Sequence, residues 1–89
     1  MIVNYNSTIR DIVDSDLEVS GSTTLVIYGM INGNITIGKN AKVEIYGMVN
    51  GNIHNAGVCI IGGMVNGGLL EIGGKFEIQK GASINAIIA

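Results

Sequence analysis

A ten-residue block occurs three times in this chain, and nothing else in the sequence restricts its fold so severely. Val26-Ile27-Tyr28-Gly29-Met30-Ile31-Asn32-Gly33-Asn34-Ile35 returns as Glu44-Ile45-Tyr46-Gly47-Met48-Val49-Asn50-Gly51-Asn52-Ile53, and again as Ile60-Ile61-Gly62-Gly63-Met64-Val65-Asn66-Gly67-Gly68-Leu69. Successive copies start 18 and then 16 residues apart. A degenerate fourth begins at Phe76-Glu77-Ile78, and Asp16-Leu17-Glu18-Val19 reads as a worn earlier copy. A period this short marks a repeat architecture, in which each unit buries its apolar face only against its neighbours.

The unit is a strand. Odd positions of the first block read Leu25, Ile27, Gly29, Ile31, Gly33, Ile35, Ile37, and even positions read Val26, Tyr28, Met30, Asn32, Asn34, Thr36. Alternation with a period of two puts the odd set on one face. The abundance of Gly and β-branched residues, with no 3.6-residue stripe, argues against a helix. The repeated Asn-Gly pair is a hairpin signal. A two-residue hairpin at Asn32-Gly33 would, however, set Ile31 opposite Asn34 and Met30 opposite Ile35, mixing aliphatics with amides on both faces. Each buried aliphatic contributes roughly 1.5–3 kcal/mol, so the chain is expected to bend at these glycines and keep its parity.

Short strands joined by bends and repeating every 16 to 18 residues describe an all-β, single-stranded parallel β-helix (β-solenoid) of about four to five coils. The alignment predicts its inner columns: Leu25, Val43, Cys59 and Phe76; Ile27, Ile45, Ile61 and Ile78; Ile31, Val49 and Val65; Ile35, Ile53 and Leu69. The inner glycines are expected at tight corners of a narrow interior. Leu25, Ile31, Ile37, Val43 and Val49 keep the six-residue spacing of a left-handed helix, but position 55 is Asn and the later coils are not multiples of six. A right-handed helix is expected. Residues 1–16 read as an amino-terminal segment or cap, and residues 17–89 as the solenoid.

Composition removes several functions. Eighty-nine residues allow one domain, and 47% hydrophobic against 13% charged residues disfavours disorder. A net charge of −2 with no basic run gives no footprint for nucleic acid. One Cys and one His leave little for a disulfide framework or a metal site. There is neither a long apolar span nor a basic-then-apolar leader, so a cytoplasmic protein is expected. No cofactor is expected.

The phrase Ile45-Tyr46-Gly47-Met48-Val49-Asn50-Gly51-Asn52-Ile53 resembles the repeat of bactofilins, bacterial polymer-forming cytoskeletal proteins, and the likeness runs from about Leu17 to Ile84. The resemblance implies a right-handed β-helix that polymerises end to end without nucleotide, often at the membrane. It also implies membrane attachment through a short apolar amino-terminal segment, for which Ile2, Val3 and Tyr5 are the candidates here. The chain departs from the family in having fewer coils and no Pro-rich or charged tails.

Candidate sites follow from the ends and the outer face. After Lys80 the carboxyl end carries no charged side chain, so Ile84, Ile87 and Ile88 are expected to dock end to end, unless they fold over the last coil. Arg10, Asp11, Asp14 and Asp16 could cap the other end. On the outer face Tyr28 and Tyr46 form one column and Met30, Met48 and Met64 another, an apolar strip of the kind that marks a protein interface. The competing reading lays Ile2, Val3, Tyr5 and Ile9 across this strip. Asn32, Asn50 and Asn66, and Asn34 with Asn52, are expected to form structural amide ladders. Cys59 should be a buried, unreactive thiol. His54 stands on an outer position and invites comparison with the single catalytic His of left-handed-helix acyltransferases, but no substrate cleft accompanies it. The glycines form no phosphate loop. The sequons at Asn6 and Asn34 come without an export signal.

The expected function is therefore non-enzymatic: a bactofilin-like β-helix that self-associates through its coil ends into a polymer or scaffold. The alternative is a small β-solenoid of inhibitor or immunity type that occupies a protein partner through its Met/Tyr face.

Overall fold

A computed structural model describes residues 1–88. The chain winds into a solenoid of about five turns whose strands all pair in parallel. Three walls surround one apolar axis. The first wall stacks β2 (Ser7–Ile9), β5 (Thr24–Ile27), β8 (Lys42–Ile45), β11 (Val58–Ile61) and β13 (Lys75–Ile78). The second stacks β3 (Ile12–Val13), β6 (Met30–Ile31), β9 (Met48–Val49) and the start of β12 (Met64–Glu71). The third stacks β1 (Ile2–Val3), β4 (Leu17–Val19), β7 (Ile35–Ile37), β10 (Ile53–Asn55) and the rest of β12. Strand β14 (Ser83–Ile88) covers both halves of β12, with a register shift between Val65 and Gly68.

The register is the one the columns demand. Leu25 pairs with Val43, Val43 with Cys59 and Cys59 with Phe76. Ile27, Ile45, Ile61 and Ile78 follow two residues on, and Ile35, Ile53 and Leu69 line the third wall. From Leu17 to Leu69 the inward side chains are closed off from water. Asn32-Gly33 and Asn50-Gly51 are bends. Neither glycine has a positive φ, which the two-residue Asn-Gly hairpin would require.

Differences in coil length fall in the turns. Four residues, Gly38 to Ala41, connect β7 to β8, whereas only Ala56 and Gly57 connect β10 to β11. The side chain of Asn55 makes the shorter turn, its Oδ1 accepting the Gly57 amide at 3.1 Å, an Asx turn. Its Nδ2 donates to Glu71 Oε1 at 2.6 Å and to the Lys75 carbonyl at 2.8 Å, so a fully buried amide has all its partners.

Two expectations are revised. Residues 1–16 are no separate cap: β2 and β3 are the first full turn, with Ile9 beneath Ile27 and Val13 beneath Ile31. The corner glycines respond to crowding along the axis, not within the interior. A Cβ on Gly47 would lie 2.0 Å from the Gly29 carbonyl oxygen, and one on Gly51 would lie 2.2 Å from that of Gly33, each in the coil before.

Candidate interaction surfaces

The outer face carries the apolar strip. Because β3, β6, β9 and β12 are in register, Ile12, Met30, Met48 and Met64 stand one above another. Beside them the Tyr28 and Tyr46 rings stack with centroids 5.5 Å apart, and the Arg10 guanidinium lies 4.9 Å over Tyr28. The Tyr46 hydroxyl donates to Glu44 Oε1 at 2.6 Å, and that carboxylate, with some burial, holds the phenol above its ordinary value. Between the two columns lies an open groove of about 670 Å³ lined by Arg10, Ile12, Tyr28, Met30, Gly47 and Met48. The amino-terminal segment does not cover this strip: Ile12 joins the Met column, while Val3 and Ile9 face the axis.

Next to the strip run two polar ladders. Asn32 Nδ2 donates to Asp14 Oδ1 at 2.7 Å, Asn50 Nδ2 to Asn32 Oδ1 at 2.7 Å, and Asn66 Nδ2 to Asn50 Oδ1. The second column was expected to be amide on amide. Instead each side chain caps a backbone group, with Asp16 Oδ1 accepting the Asn34 amide, Asn34 Oδ1 that of Asn52, and Asn52 Oδ1 that of Gly68. Asp14 and Asp16, expected from sequence to cap the amino-terminal end, are thus the first rungs of both ladders. The clue was present in their spacing, since each precedes an Asn by 18 residues.

The two ends of the stack differ. At the carboxyl-terminal end no strand among the described residues lies over β13 and β14, which leaves Phe76 at 39%, Ile78 at 38% and Ile87 at 42% exposure in columns that are fully buried one coil earlier. Ile84 is half-buried and Ile88 faces outward. The carboxyl-terminal residues do not fold over the last coil, because β14 is that coil; Ala89, the end of the apolar run, lies outside the described residues. At the amino-terminal end Val3 is turned onto the core. It is therefore not placed for lipid contact, whereas Ile2 and Tyr5 are exposed.

The remaining candidates lie apart from these surfaces. Cys59 is buried in the first wall, and burial, with a smaller contribution from Glu71, pushes its thiol up to about 12. His54 is half-buried on the outer side of β10, level with Thr36 and Leu70. Among the described residues no three His, Cys, Asp or Glu side chains are grouped so as to hold a metal, and no helix is long and apolar enough to cross a membrane. No family model, curated protein or solved structure matches the chain.

Proposed function

We propose that this protein is a non-enzymatic, bactofilin-like assembly module that self-associates through its coil ends, beginning at the carboxyl-terminal coil. The observation that carries the reading is the open last coil. Phe76, Ile78 and Ile87 occupy inner columns yet meet solvent, and the outer edges of β13 and β14 present unpaired backbone groups beside them. An exposed edge flanked by aliphatics is a template for another strand, and the side chains after Lys80 add no charge to oppose it. In this reading the module works in the cytoplasm, where the Cys59 thiol stays reduced. Sedimentation velocity across a concentration series tests it. The intact chain should pass from monomer to larger species, and Ile78→Lys, a change at an exposed end position, should remain folded and monomeric. A strict monomer at high concentration and varied salt, or unaltered association by Ile78→Lys, would overturn the proposal.

A second reading draws on the groove beside the stacked tyrosines. Adaptable Met side chains bordered by aromatic rings and an Arg suit a protein partner, so the module would then act as an inhibitor or immunity protein. Met48→Glu should abolish partner capture in a pull-down with folding intact; undiminished capture would remove this reading.

A further inference from the structure

The three walls hold unequal numbers of layers. The first has five, β2, β5, β8, β11 and β13; the second has five, β3, β6, β9, β12 and β14; the third has six, and the additional one is β1. Strand β1 lies on the outer edge of β4, with Ile2 level with Glu18 and Val3 level with Val19. Its hold is slight. The Glu18 amide donates to the Met1 carbonyl at 2.9 Å, the Ser20 amide to that of Val3 at 3.0 Å, and the Met1 ammonium to the Asp16 carbonyl at 2.8 Å. Of the three residues Met1 to Val3, only Val3 is buried.

This sixth layer conflicts with head-to-tail stacking. Let the carboxyl-terminal coil of a second copy approach the amino-terminal end. Strand β13 continues the first wall when Phe76 comes under Ser7 and Ile78 under Ile9, and β14 continues the second when Ile84 comes under Val13. These are the columns the chain already uses inside itself. In that register Ile87 comes level with Leu17 and Ile88 with Glu18, the places that Met1 and Ile2 fill. Withdrawing the second copy by one layer clears β1 but leaves a gap of about 4.8 Å in both other walls, with their edges unpaired.

We propose that β1 is a detachable plug: with Met1 it holds the place on β4 that Ile87 and Ile88 of a second copy would take, so intact chains are stopped from stacking head to tail until β1 is released. The inference rests on the coil-end association proposed above. With β1 seated, only the carboxyl-terminal ends are free to meet, and a like-to-like contact closes as a dimer. With β1 released, every wall has five layers, and Ile78 on Ile9, Ile84 on Val13 and Ile87 on Leu17 would extend the core from copy to copy.

The test uses the full chain. Val3→Asp sets a carboxylate against Val19, which disfavours the seated strand; Val3→Thr does so more gently and guards against loss of fold. Circular dichroism confirms folding, and sedimentation velocity with negative-stain microscopy reads size. The intact chain should stop at the dimer, both variants should grow into elongated species of many chains, and adding Ile78→Lys should prevent that growth. An oxidised chain with Ile2→Cys and Glu18→Cys, tying β1 to β4, should remain a dimer. If the folded Val3 variants stop at the size of the intact chain, or the intact chain already forms open head-to-tail polymers, the plug is refuted while coil-end association stands. If no form associates at all, the coil-end reading falls, and the plug falls with it.

Discussion

Gly47 has no room for a side chain because the Gly29 carbonyl oxygen of the preceding coil would lie 2.0 Å from its Cβ, and that oxygen accepts the Met48 amide at 3.0 Å. Relief would require the coils to part and lose the pairing. Gly47→Ala is accordingly expected to destabilise the fold by about 2 kcal/mol or more in chemical denaturation. The same contact explains why the first coil was hard to recognise in the sequence. Its residues level with Gly29 and Gly33 are Asp11 and Ser15, and no coil lies before them to crowd a side chain. The glycine signature disappears where the stack begins. Cys59, by contrast, was legible, because it aligns with Leu25 and Val43. Its thiol titrates at about 12 when folded, whereas an unfolded thiol titrates at about 8.5. The stabilisation from keeping it neutral and buried is fully present below about pH 8.5 and is lost as pH rises toward about 12, with a slope of at most about 1.4 kcal/mol per pH unit. Urea midpoints measured through that range should fall, and Cys59→Val should remove this share of the fall.

Among the elements, strands were easier to read than turns. Parity fixed which side chains of β5, β8 and β11 face the axis, since a one-residue slip would have exposed all of them. The turn after β10 was not legible. Asn55 stands where Ile37 stands one coil earlier, and from sequence it merely breaks a pattern. In the structure its side chain is what allows that connection to be two residues shorter, and the amide is buried with all its hydrogen bonds made. Asn55→Leu would restore an aliphatic column and still leave the Gly57 amide without its acceptor. It should therefore cost about 2 kcal/mol, against about 0.5–1 kcal/mol for Asn50→Ala in the exposed ladder, where water replaces the lost partners. Equal losses by thermal denaturation would show that the short turn does not depend on Asn55.

At the scale of the whole molecule, the stack is polar: one end is plugged by β1 and the other is open. The sequence indicated the open end through its uncharged run after Lys80. It hid the plug, because Ile2-Val3 is too short a segment to show a period. It also hid the inequality of the walls, which exists only once coils are stacked and counted. Hydrogen exchange followed by mass spectrometry at low and high protein concentration tests the claim that the carboxyl-terminal coil is where copies meet. Amides in residues 75–78 and 83–88 should gain protection as concentration rises, while those around Met30 and Met48 stay as they were. Unchanged exchange in the last coil, with new protection on the Met/Tyr face, would contradict it.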